Sequence, residues 1–431
     1  MIKKEINDFF KSKTAMLLLL VLVAIISYSF YSAVDLYSKA SVAAVNNSLY
    51  AGGFEPVRGI FAPSLGGLFI ILSLIAPFLF IQSISNEKKQ NTITLLAQLP
   101  YSFEKIFLIK FFAAAIFLLT IFLLLLPLFL LWYYFGGHIP INEIILLLTG
   151  YFLYGTLIIA ISFFSSSLFD DSGRASILAV SLIMFSWFWD FGSENNIGTI
   201  FSDLSQWSIT GQLKQFENGI LSLSAVFYFI LLILLFLFLS YIFLNFSIRN
   251  KIKPIISGII IFILLFWANS VININFDLTE SRRNSFSYEK TNFLKMIPHL
   301  NIKIFLDPAD SRAIDYSNDF LKKIKLIKND ITITYITGKD LKNNYGLFQY
   351  TINGNSETTY SNSEEEIFMI LANLSGIKLK NKEKKEYFKG YPLVVKGNWK
   401  LYILIFYFIP IIIGILFYYL KNQLIPRRRE I

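Results

Sequence analysis

Few residues in this 431-residue chain are equipped for covalent or metal chemistry. There is no cysteine, which excludes disulfides, thiolate metal sites and cysteine nucleophiles. The two histidines, His138 and His299, stand far apart in sequence, so an imidazole-built metal site is not expected. Asp307 and Asp310 lie in "DPADSR" directly after a strand-like run, where an Asp-Pro step reads as a turn and helix cap rather than a cation or sugar site. No G-x-G-x-x-G follows that strand, and no G-x-x-x-x-G-K-[ST] occurs; "TGKD" at 337–340 lacks the first Gly and the hydroxyl residue. The chain is therefore not expected to bind a dinucleotide or ATP itself. The loop "DFGSENNIGTIFSDL" is the one acidic candidate for glycosyl or phosphoryl transfer, and it brings no convergent acid and base.

What remains is a stretch suited to docking. "ISNEKKQNTITLLAQLPYS" (84–102) separates two long apolar runs, where roughly five or six residues would join two helices. From Glu87, with Lys88 and Lys89 at its start, it predicts a short helix carrying Ile93, Leu96 and Ala97 on one face and ending at Pro100. "SFEKIFLIK" then starts a second amphipathic helix. A helix, a break and a helix on one side of a membrane offer another protein a rigid surface.

The elements that must position this stretch are membrane spans. The chain is 55% apolar with 44 Phe, its mean hydropathy is +0.56, and its apolar residues cluster in blocks. Segments approaching the ~20 apolar residues that cross a bilayer run over 14–34, 65–84, 111–135, 144–169, 221–246, 255–271 and 401–420, with a shorter eighth at 175–189. Their interiors carry almost no ionisable residue. Lys110 stands at the inner end of one, placed to snorkel, and Asp190 at the outer end of another. A proton- or sodium-coupled transporter would need such groups at mid-depth, so any energy for transport must come from elsewhere.

The positive-inside rule places "MIKKEINDFFKSK", 84–110, "DDSGR", "RNKIK" and "KNQLIPRRREI" in the cytoplasm, and with them both termini. No small-x-small cleavage site follows the first run, which reads as an uncleaved anchor. Before it, Ile2, Ile6, Phe9 and Phe10 recur at helical spacing between charged residues, predicting an amphipathic helix on the membrane surface.

Residues 272–398 change character to Asn, Lys, Asp and Ser. "NIKIFLD", a helix with Ile314, Leu321 and Ile324 on one face, and "ITITYIT" predict a βαβ unit with parallel strands. Asn353-Gly354 marks a hairpin, and Ser363 with Glu366 a capping box that opens a helix ending near Gly376.

The docking stretch resembles that of the ABC-2 type permease family. The acidic residue, basic pair, small-Thr pair, Leu pair, proline and lysine of that family stand here as Glu87, Lys88-Lys89, Asn91-Thr92, Leu95-Leu96, Pro100 and Lys110, with Asn91 where Gly is usual. The resemblance implies an α-helical polytopic protein with a six-span ABC-2, type V exporter-like core in a bacterial cytoplasmic membrane. It further implies a coupling helix that docks into a separate cytoplasmic ATPase, and two cores per complex, here a homodimer. No cofactor is bound directly; ATP and Mg enter through the partner. Asp277-Leu278-Thr279, Arg283 and Ser285-Phe286-Ser287 resemble the opening of the auxiliary subunit of gliding-motility-type ABC transporters, as do "IFLDP" and "EEEIFMIL". The chain thus looks like a permease fused to a shortened auxiliary subunit.

The organisation expected is an elbow helix (1–13), a permease core (14–250) with coupling helix 86–102, a seventh span (251–271), an extracytoplasmic α/β domain (272–398), an eighth span (399–421) and a basic tail (422–431). The function implied is export or extraction of an envelope or hydrophobic substrate. The alternative is ATP-driven mechanotransmission or scaffolding through the outer domain. Membrane lipid and an envelope protein are the further partners expected, and nucleic acid is not.

Overall fold

Proline decides where the long apolar helices begin and bend. The computed structural model describes residues 2–46, 48–90, 92, 102–194, 205, 207–245, 248, 250–272, 274–308, 310–328, 330–336, 344–377 and 388–424. Among them eight helices are long and apolar enough to cross a membrane: Lys13–Val45, Val57–Lys89, Phe103–Tyr134, Ile141–Leu168, Ser172–Asp190, Leu223–Leu244, Ile252–Ser270 and Trp399–Lys421, here called spans one to eight. Pro77 and Pro127 sit in the first turns that follow breaks in spans two and three. Widened turns, Val57–Phe61 and Leu404–Phe408, lie just ahead of Pro63 and Pro410. A proline ring clashes with the carbonyl four residues back, and a wider turn makes room for it.

The eight spans agree in number with the apolar runs, but the first two are 33 residues each, far longer than those runs. At 1.5 Å per residue that is about 50 Å, against a hydrocarbon core of ~30 Å. Hydropathy marks only the part at lipid depth. The helix continues past it because "SAVDLYSKASVAAVN" contains no breaker and adds an Asp35–Lys39 ion pair one turn apart.

The chain forms two compact units, Met1–Leu278 with Lys389–Ile431, and Thr279–Phe388. In the first, span four is central, with 72% of its apolar window buried against 11% in spans seven and eight. Two glycines let neighbours close on it. A Cβ at Gly150 would lie 2.5 Å from the side chain of Phe216, and one at Gly155 would lie 2.8 Å from Leu118. The segment leading into span eight is strapped along span one. Tyr37 donates its hydroxyl to the Tyr391 carbonyl (2.8 Å), while the amides of Leu393 and Val395 donate to Ser41 (3.0 Å) and Ser38 (2.9 Å). A small antiparallel sheet pairs β1 (Ile220–Ser222) with β2 (Asn275–Asp277). The helix just before β1, Ile209–Glu217, ends in a buried carboxylate: Tyr151 donates to Glu217 at 2.7 Å, and burial pushes the Glu217 carboxyl above the usual range.

The second unit is a four-stranded sheet, order β4-β3-β5-β6, where β3 is Leu300–Ile304, β4 Ile331–Tyr335, β5 Phe348–Ile352 and β6 Asn355–Thr359. β3 and β4 are parallel and the other pairs antiparallel, as the βαβ and hairpin readings require. Asn353 and Gly354 both take positive φ (51° and 86°), the conformation of a two-residue type I′ turn. Alternate residues Leu300, Ile302, Ile304, Phe348, Tyr350 and Ile352 face a core shared with Phe286, Phe293, Phe320 and Phe368. Ser363 caps the helix Glu364–Ser375 by accepting from the Glu366 amide, and Gly376 ends it in the left-handed region. Glu366 does not complete a reciprocal capping box; its carboxylate accepts from Thr359 instead.

Two expectations change. Ile314 is 43% exposed and does not share the face of Leu321 and Ile324. The crossover helix contains a widened turn at Ser317–Leu321, which inserts one residue and brings Ala313 and Tyr316 into phase with the core instead. The α/β unit is also narrower than 272–398, because β2 and the strap at 391–395 are hydrogen-bonded into the membrane unit.

Candidate functional site

The stretch 84–102 leaves span two through Glu87, Lys88 and Lys89, and each of these side chains is committed to a different neighbour. The last carbonyls of a helix have no partner within it, and a cation placed there satisfies them and the helix dipole together. Lys88 does this for span four. Its ammonium lies 3.2 Å from the carbonyls of Ser166 and Ser167, 3.0 Å from that of Phe169 and 2.9 Å from the Asp170 carboxylate. Lys89 pairs with Asp171 at 3.2 Å, and Asp171 caps span five by accepting from the Arg174 amide at 3.1 Å. That amide and then Lys89 hold the Asp171 carboxyl below its ordinary range.

Lys110 of span three does not snorkel. It is buried, with its ammonium 2.9 Å from Glu5 on the elbow helix (Ile2–Lys11) and 2.6 Å from Glu87. Bringing an ammonium out of water costs several kcal/mol per ion, and only close, well-bonded carboxylates offset it. Here two carboxylates share one cation, and Glu87 Oε2 is buried without a hydrogen-bond partner. Aromatic rings hold the same helix to spans two and three. Phe9 lies 6.2 Å from Phe80 and 5.7 Å from Phe117, ring centre to ring centre, and Phe10 lies 5.3 Å from Phe117. The elbow helix is thus fixed to spans two and three by one ion cluster and four rings. At the far side of the stretch, Tyr241 of span six donates to Glu104 at 3.0 Å.

The arrangement is a frame: spans two to six and the elbow helix are fastened to one another where the stretch departs and returns. Thr92 donates to the Glu87 carbonyl at 3.3 Å. Leu95, Leu96 and Pro100 lie outside the described residues. Of the residues expected on the membrane surface, Ile2 is exposed, Ile6 and Phe10 are half-buried and Phe9 is buried against the protein. Asp277 and Leu278 belong to the membrane unit, where the Leu278 amide donates to the Gly219 carbonyl. Thr279 accepts from the Arg283 amide, the Ser285 amide donates to the Arg282 carbonyl, and Ser287 caps the helix Tyr288–Met296. These motif residues therefore shape the chain as it enters the α/β unit. Asp310 caps its helix through the Arg312 amide and accepts from Tyr345, which holds its carboxyl below the ordinary range.

Sequence reading missed Glu5 and Asp171. The signal available was the placement of an acid on the same helix as Phe9 and of a second acid directly after span four. Among the described residues, no group of three or more His, Asp or Glu is placed to hold a metal.

Residues 47–192, about a third of the chain, match the family model described as ABC-2 family transporter protein. The matched stretch contains span two through span five and the segment 84–102 between spans two and three. With the eight apolar helices, it supports a transmembrane permease component of an ABC transporter, a type of subunit that works with a cytoplasmic ATPase partner. No curated protein and no solved structure matches the chain.

Proposed function

We propose that this chain is the permease subunit of an ABC exporter in a bacterial cytoplasmic membrane, working as a homodimer on two copies of a separate ATPase. Both termini and the docking stretch face the cytoplasm, and the α/β unit faces outward as a shortened auxiliary portion of the gliding-motility type. The substrate is an envelope or otherwise hydrophobic molecule. The observation that carries this reading is the frame at the base of the membrane unit. A segment that receives force from a moving ATPase must pass it to several helices at once, and Glu87, Lys88 and Lys89 tie its root to the elbow helix and to spans three, four and five. Residues 86–102 then act as the coupling helix, with Glu87, Lys88, Lys89 and Thr92 as its root and Leu95, Leu96 and Pro100 as its docking face.

The purified chain is expected neither to bind nor to hydrolyse ATP, and to capture a Walker-motif ATPase from solubilised native membranes. Cysteines introduced at Ser317 and Asn355 should react with an impermeant maleimide in intact spheroplasts, and one at Ser12 should not. ATP hydrolysis by the chain alone would sink the division of labour. Labelling of Ser12→Cys only would invert the orientation.

A further inference from the structure

We propose that the membrane unit holds one acyl chain of an anionic membrane lipid, in a cavity between the elbow helix and spans one, three and eight. The cavity is about 430 Å³ and is lined by Phe10, Leu19, Thr120, Leu124, Gly414 and Tyr418, among others. That is within the ~300–1,000 Å³ of ordinary small-molecule sites. The Thr120 hydroxyl is spent on the Ile116 carbonyl of its own helix (3.1 Å), so it does not invite water. The space is a groove open along one side, where Gly414 and Tyr418 are exposed, so in a bilayer its apolar wall meets lipid tails rather than water. Between helices that cross a bilayer, the abundant apolar group of this length is an acyl chain.

Charge at one end selects the headgroup. Lys11 and Lys13 flank the link from the elbow helix to span one, directly beside Phe10, and Lys421 follows Tyr418 by one turn of span eight. All three are exposed, and none makes an ion pair among the described residues. Asp8, one turn before Lys11, leaves the mouth net positive. Lys13 and Lys421 stand about 10 Å along their helix axes from Leu19 and Gly414, roughly two turns. Phosphate in a lipid headgroup would meet unmatched cations there, as basic residues beside membrane helices do with acidic lipids.

Gly414 keeps the cavity open. A Cβ built on it meets nothing within 4 Å, so no close packing demands glycine, and a mid-helix glycine weakens its helix. A larger side chain at this position would project into the space the acyl chain takes. This inference needs only that the eight helices lie in a bilayer; it is independent of what the protein transports.

The test is native mass spectrometry of the full chain, released from micelles holding equal phosphatidylglycerol and phosphatidylcholine. The wild-type chain should retain one phosphatidylglycerol, roughly thirtyfold or more in preference to phosphatidylcholine, as expected for two or three lysines near one net negative headgroup. Gly414→Leu should lose the retained lipid of both kinds. Lys11→Gln with Lys13→Gln and Lys421→Gln, all at exposed positions that leave the fold intact, should abolish the preference while phosphatidylcholine is still retained. Equal retention of the two lipids by the wild-type chain would mean annular lipid only and overturn the proposal. Undiminished retention in Gly414→Leu would do the same. So would a dimer mass that Gly414→Leu alone abolishes, since the groove would then belong to a second copy.

Discussion

Lys110→Met should destabilise the membrane unit by roughly 3–5 kcal/mol, the range for breaking a buried ion pair by removing one partner. The change leaves Glu5 and Glu87 facing each other out of water with no cation between them. The effect is asymmetric. Two carboxylates share one ammonium, so Glu87→Gln removes the surplus charge and should be close to neutral, keeping a side-chain oxygen for Lys110. The triple variant Lys110→Met, Glu5→Gln, Glu87→Gln should regain most of the stability, because an apolar group among neutral amides leaves no buried charge. Unfolding midpoints of the detergent-solubilised chain, followed by size-exclusion chromatography after heating, measure all three. A Lys110→Met midpoint equal to that of the wild type would show that the cluster is hydrated and that the elbow helix does not depend on it.

Leu95→Asp with Leu96→Asp should weaken association with the ATPase by roughly thirtyfold or more, at ~2 kcal/mol for a central apolar contact, while leaving the unfolding midpoint unchanged. Changes at the root of the same stretch should behave in the opposite way. Lys88→Met removes the cation on the last carbonyls of span four, so it should lower the midpoint and affect association only through the fold; Asp170 is exposed and its lost ion pair adds little. The pair of readouts separates a docking face from its mounting. Association undiminished by the leucine changes, measured by co-purification at fixed salt, would remove the docking role from this stretch. If the same changes lowered the midpoint, those leucines would belong to the fold instead.

Much of the fold can be read in the residues because its signals are local. A run of some twenty apolar residues has few alternatives to a span, and the Asn353-Gly354 step sits between strands whose inward positions alternate as their burial does. Phase is harder. The turn at Ser317–Leu321 shifts every later residue of its helix by one position, and nothing in "YSNDFL" announces that, so Ile314 was placed on the wrong face. The ion cluster is hardest of all. Lys110 finds Glu5 across 105 positions and Glu87 across 23, and a lysine near the end of an apolar run reads as snorkelling until its partners are seen beside it. The strap at 391–395 was missed for a related reason. Its bonds join backbone amides to serine hydroxyls on span one, and such pairings leave no periodic pattern in either segment.

The distance between Glu5 and Lys110 along the chain also sets an order of events at the ribosome. Glu5 is made first, yet its cation emerges 105 residues later. At the usual 5–20 residues per second, that is a delay of roughly 5–20 s. During this interval the amino-terminal helix lacks its cation; Phe80 is made late in it and Phe117 only after it, so most of the surface the helix packs against is still missing. Its docking is a late step of biogenesis that reports the arrival of span three, and a nascent chain stalled before Lys110 should leave that helix open to protease.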